Sequence, residues 1–242
     1  RMLEIAEEIS PELTEYGLYV SLNDRLFERV KQVYDHPSEL DTASRRLLED
    51  TYRSFIRNGA ALGEEDRKLF SELSSRLSVL ELRFGNNVLS ATNAFILHIE
   101  DEAELEGLPD YLREAAAQEA ASRNLEGWVF TLQFPSYSPF LKYSARRELR
   151  EKMWRAYNSR ALGGEYDNRP VILEIVQLRM RIASLLGYPD YASYALERRM
   201  AGNRTEVEHF LDRLMEPALP KARQELSDVL EYARANGFED PV

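Results

Sequence analysis

Three histidines, no cysteine and several pairs of adjacent carboxylates are the residues in this 242-residue chain whose types could do chemistry. Without cysteine, a metal site needs histidines or clustered carboxylates at helical or loop spacing. A nucleophile would have to be a hydroxyl, amine or carboxylate. His36, His98 and His209 are far apart in sequence: His36 precedes Pro37 in a turn, His98 falls on the polar side of an expected strand, and His209 on the last expected helix. Each reads as a surface or hydrogen-bonded histidine, not as a ligand or base. The acidic groups Glu49 with Asp50, Glu100 to Glu102, and Glu239 with Asp240 fall where helix ends and solvated faces are expected. There is no HExxH, EF-hand loop, GxGxxG, phosphate loop or GxSxG elbow. The residues alone therefore expose no catalytic constellation.

One further cluster invites a functional reading. LLGYPDYASYALERRMA, residues 185 to 201, sets Tyr188, Tyr191 and Tyr194 around a turn. Gly187 should end one helix and Pro189 prevent its continuation, and Asp190 can cap a short helix carrying Tyr191, Tyr194, Leu196 and Met200. Aromatics at helical spacing most often fill cores, so packing is expected in preference to substrate contact.

The elements that would position these residues are almost all helical. Leu69, Leu73, Leu77, Leu80, Phe84 and Val88 recur at steps of three or four within residues 64–93, with Glu64, Glu65 and Asp66 in the first turn, where the helix dipole favours negative charge. A second helix is expected from Pro170 to Leu186, with Val171, Ile175, Leu178, Ile182 and Leu185 on one side, Asn168 as its cap and Gly187 as its stop. Thr205 and Glu208 have capping-box spacing before Val207, Phe210, Leu211 and Leu214, a pattern that continues through Leu226, Val229 and Leu230. Pro217 and Pro220 should kink or divide that helix. The NRT at Asn203 fits a glycosylation acceptor, but a helix start is the better reading.

Two segments alternate instead. Phe95, Leu97 and Ile99 oppose Ile96 and His98, and Trp128, Phe130, Leu132 and Phe134 oppose Val129, Thr131 and Gln133, so strands are expected near 95–99 and 128–134. A connecting helix with Pro109 near its start should lie between them. No internal repeat is present, and the flexible candidate is ALGGEYDN around Gly163 and Gly164. The expected fold class is thus mainly α, a multi-helix domain over 1–242 with one small two-stranded β element.

A formal net charge of −11 argues against nucleic acid or an anionic membrane surface as partner. No apolar run approaches the ~20 residues of a membrane span, and RMLEIAEEIS lacks the order of a signal peptide.

Five blocks carry a family resemblance: RRLLEDTYRSFIRNGAAL (45–62), RFGNNVLSATNAF (83–95), DEAELEGLP (101–109), FPSYSPFLKYS (134–144) and the tyrosine segment. In order, they resemble a region of the thimet-oligopeptidase-like zinc metallopeptidases, with the bacterial peptidyl-dipeptidase (dipeptidyl carboxypeptidase) group favoured and the oligopeptidase A group as its neighbour. The resemblance covers nearly the whole chain, from about Gly17 to Gly237. It implies a largely helical, zincin-like peptidase with a deep channel, whose metal is bound by an HExxH helix and a downstream glutamate. In the family those residues lie C-terminal to the matched region. No catalytic, cofactor-binding or metal residue is therefore carried onto this chain, and Arg1 and Val242 read as cuts in a longer polypeptide. The implied cofactor is zinc in the intact enzyme, with none held by this chain. The implied partners are short peptides and the catalytic remainder of the same polypeptide. A cytoplasmic location is the default, with the periplasm as the other. The competing expectation is a stand-alone helical protein-interaction module without enzymatic activity.

Overall fold

Polar residues that can close a helix's first turn stand at its beginning several times along the chain. In the computed structural model, which describes residues 2–238, they mark where the helices start. Ten α-helices and one antiparallel strand pair make up the described chain. Helix α1 runs Met2–Ser21. Helix α2, Asp24–Asp35, is capped by Asn23, whose side chain accepts from the Leu26 N–H at 3.0 Å. Helix α3, Thr42–Arg57, is capped by Asp41, which accepts from the Ala43 and Ser44 N–H groups at 2.8 and 2.9 Å. Helix α4, Glu64–Ala94, opens with Glu64, Glu65 and Asp66, as the sequence leads one to expect. Its partner α1 packs along it. The stripe expected on α4 is only partly a core face: Leu73 and Leu80 are buried, but Phe84 is 38% exposed. At that height the neighbouring groups are polar, because the Phe84 carbonyl accepts from the Asn168 amide.

The strands are β1, Ile96–Ile99, and β2, Trp128–Thr131, joined antiparallel with Leu97 opposite Phe130 and Ile99 opposite Trp128. Between them come a 3-10 turn, Glu102–Leu105, and helix α5, Asp110–Ser122, with Pro109 at its N-cap. The expected strand to residue 134 stops short. Phe134 opens helix α6, Phe134–Tyr143, and is 72% exposed. Pro135 has no N–H to give a strand ladder and instead suits the first turn of a helix. Val129 and Phe130 are both buried, so β2 is covered on both faces and its alternation fails. Helices α7, Arg147–Asn158, and α8, Arg169–Leu185, follow. Phe130 and Phe140 (ring centroids 4.7 Å apart), with Met153 and Leu105, are fully buried and form the centre of the core. Burying each such side chain stabilises by about 1.5–3 kcal/mol.

Helix α8 has the ends expected of it and most of the expected buried face: Val171, Ile175, Leu178 and Ile182 are buried, and Leu185 is half-buried. Its expected cap is different. The Asn168 side chain turns instead to α4, accepting from the Asn87 amide at 2.8 Å and donating to the Phe84 carbonyl at 3.1 Å. Asn168 is buried, and in that setting an amide with partners on another helix is worth more than one more cap bond.

The chain divides into two compact units, Arg1–Ile182 and Ala183–Val242. In the second, Gly187, at φ +82°, closes α8: its N–H donates to Ser184 and that of Tyr188 to Ala183. Helix α9, Tyr191–Leu196, ends before Met200, which is fully exposed beyond it. Helix α10, Arg204–Ala235, is capped by Asn203, accepting from the Glu206 N–H at 3.0 Å, and not by Thr205. Glu208 pairs with Arg204 at 2.6 Å instead of completing a capping box. The helix runs unbroken through Pro217 and Pro220.

Candidate functional site

The histidines lie on separate elements. His36 is the C-cap of α2, His209 stands on α10, and His98 on β1 has its Nε2 2.6 Å from the Glu126 carbonyl oxygen. The carboxylates have structural work: Asp50 accepts from Arg46 at 2.9 Å, and Asp101 caps the 3-10 turn through the Ala103 N–H. Glu239 and Asp240 lie outside the described residues. Among the described residues, no group of three or more His, Cys, Asp or Glu is arranged to hold a metal ion.

The tyrosine segment does come together. Tyr188 and Tyr194 meet edge to face with centroids 5.2 Å apart, and Tyr191 lies 5.7 Å from Tyr194. The Tyr188 hydroxyl donates to Glu197 at 2.6 Å. Asp190 caps α9 through the Ser193 N–H at 2.7 Å. That backbone bond, with the Ser193 hydroxyl second, holds the Asp190 carboxyl below the ordinary aspartate range. The three rings are half-buried, and each packs against another ring.

In the first unit, α4, α5, β2 and α6 line a half-open cavity of about 340 Å³ that sequence reading did not single out. Its floor is apolar: Leu112, Ala116 and Val129. Two polar pairs frame it. Gln133 donates to Asn93 at 2.7 Å, and Arg123 donates twice to Glu119, at 2.8 and 2.6 Å. The members of the first pair are 40 residues apart, so no local motif could reveal it. Beside it, Arg160 stacks 3.6 Å over the Tyr157 ring and donates to Thr92 at 3.2 Å, while Tyr157 stacks on Tyr137 at 4.0 Å. Burial, then the neighbouring Tyr157, push the Tyr137 phenol above its ordinary value. Such a cavity can seat an apolar side chain beneath amide and ionic groups. It contains no nucleophile paired with a base.

The outward faces are the other prominent feature. On α8, opposite its buried stripe, Ile172, Leu173, Val176 and Met180 are 41–65% exposed. On α10 no residue is buried. No helix among the described residues is long and apolar enough to cross a membrane.

The described residues form helical scaffolding around an apolar pocket. The sequence profile of Peptidase family M3 matches residues 140–240, and by sequence the chain is a relative of that family. It is 39% identical to oligopeptidase A of Haemophilus influenzae over 92% of this chain, and 36% identical to that of Escherichia coli over 96%. It is 31% identical to dipeptidyl carboxypeptidase of Escherichia coli over 95%. The chain spans about a third of the length of these curated relatives, 34–35%.

Proposed function

We propose that this chain is the helical, non-catalytic part of a zinc metallopeptidase that hydrolyses short peptides, and that it forms a wall of the substrate channel. The observation that carries this reading is identity of 36–39% to oligopeptidase A sequences along almost the whole chain, which covers only about a third of them. Rigid helices around a narrow channel admit extended peptides and exclude folded proteins, so the contribution is a size filter and not bond chemistry. The first unit suits that task, because its helices are tied by a buried core and by inter-helix pairs such as Arg76 to Glu174, bidentate at 2.6 and 2.9 Å. Identities run higher to oligopeptidase A than to dipeptidyl carboxypeptidase. That favours oligopeptide cleavage over the dipeptide release to which the blocks ATNAF and DEAELEGLP incline.

Zinc, when bound in such an enzyme, activates water and polarises the peptide carbonyl. The donor set here does not fit it: the histidines stand on three separate elements, and no described acidic or histidine cluster completes a site.

The test is zinc content and short-peptide cleavage, measured on the purified chain alone and on the chain mixed with the part of Escherichia coli oligopeptidase A that follows its aligned segment. No zinc and no cleavage alone, with cleavage in the mixture, is the expected result. Zinc at one per chain with cleavage by the chain itself would overturn it and direct attention to His36, His98 and His209. Cleavage in neither sample would support the interaction-module reading, whose attraction is the apolar outer face of α8.

A further inference from the structure

Helix α10 is 32 residues long, and none of its residues is buried. Its apolar side chains are nevertheless ordered. Leu211, Leu214, Met215, Ala218, Ala222, Leu226 and Val229 recur at steps of three and four, with one adjacent pair, and so form a single stripe along the helix. The large ones are 50–61% exposed: Leu211 at 51%, Leu214 at 50%, Met215 at 53%, Leu226 at 54% and Val229 at 61%. The inner face of α8 shows what such a stripe becomes when covered, with Val171 at 3% and Ile182 at 4%. A long helix draws its stability mainly from packing its apolar face, and a continuous exposed stripe marks an interaction surface.

We infer that the Leu211 to Val229 face of α10 is the docking surface for the polypeptide that, in the longer relatives, lies beyond the aligned segment. This rests on the reading of the chain as part of a larger peptidase. Two observations select that occupant. The family profile spans the whole of α10, and the relatives are about three times as long as this chain, so they carry the same segment with a covering surface available in the same polypeptide. A second copy is disfavoured by charge, since two chains at −11 each repel as they approach.

The experiment co-expresses the chain with the part of Escherichia coli oligopeptidase A that follows its aligned segment, and reads association by sedimentation. Three variants are compared: Leu214→Glu with Val229→Glu, Leu214→Ala with Val229→Ala, and Ser227→Glu on the polar face, each checked for helix content by far-ultraviolet dichroism. A one-to-one complex is expected, weakened ~100-fold by the glutamate pair, less by the alanine pair, and unchanged by Ser227→Glu. The docking assignment is overturned by the absence of a complex, by a complex indifferent to both pairs, or by self-association of the chain alone that the pairs abolish. Peptide cleavage in the same mixtures is scored separately. A stripe-dependent complex that cleaves nothing keeps the docking face and removes the peptidase reading. Cleavage by a complex indifferent to the stripe does the reverse.

Discussion

Asn168 shows how a single side chain can hold two helices whose sequences give no sign of the pairing. Its amide accepts from Asn87 and donates to the Phe84 carbonyl, and the residue is 2% exposed. Removing one partner of a buried hydrogen bond leaves the other desolvated, at about 1–3 kcal/mol. Asn168→Ala should therefore lower the unfolding free energy by about 2 kcal/mol in urea titration, whereas loss of a mere cap would cost nearer ~1 kcal/mol. Two glycines make a second contrast at this scale. Gly127 has φ +78°, and a Cβ there would fall on the Ile99 carbonyl oxygen of the neighbouring strand. Gly187 has φ +82° and open space around the same position. Left-handed backbone costs a non-glycine residue about 1–2 kcal/mol. Gly187→Ala should lose about that much. Gly127→Ala should lose clearly more, since the strand pair must also separate, and calorimetric midpoints will rank the two.

At the scale of elements, the helix caps carry a pH dependence whose sign can be worked out. The Asp41 carboxyl accepts first from the Ser44 N–H, then from the Ser44 hydroxyl, and these bonds hold it below the ordinary aspartate range. A folded value below the unfolded one means that its stabilisation is complete above the ordinary range and fades as the pH falls through the folded value. Side-chain titration by NMR should find Asp41 low, and Asp41→Asn should flatten the acid limb of the stability curve while keeping the cap. A normal Asp41 titration would refute this. The caps also show what was legible. Asp190 before α9 and Gly187 after α8 were readable because a cap is a local arrangement of three or four residues. The β pair was readable because alternation is local too. The Asn87–Asn168 contact and the cavity framed by Gln133 and Asn93 were not, since each depends on residues brought together from distant parts of the chain, whereas the stop of the second strand at Thr131 follows from Pro135, a local signal that the alternation pattern overrode. At Pro217 and Pro220 helix α10 is not divided: the breaker rule is local, and the helix continues through both.

For the molecule as a whole, burial is distributed unevenly between the two units, and stability should follow it. The fully buried side chains Phe130, Phe140, Leu80 and Met153 all belong to Arg1–Ile182. In Ala183–Val242, Ala183 is the one described residue that is buried. Amide exchange reports the free energy of local opening, which ranges from near zero in segments with few buried contacts up to the global value in the core. On the isolated chain, the amides of β1, β2 and α5 should therefore exchange only on global unfolding. Those of α10 between Leu211 and Val229 should exchange orders of magnitude faster, even though the segment is helical by dichroism. The gap should narrow when the stripe is covered, because a ligand that binds only the folded helix stabilises it by mass action. Hydrogen exchange read by mass spectrometry, on the chain alone and with the downstream part of Escherichia coli oligopeptidase A, measures both quantities. Protection of α10 in the isolated chain equal to that of the strands would mean that the stripe needs no cover and that the second unit is stable through interactions other than burial.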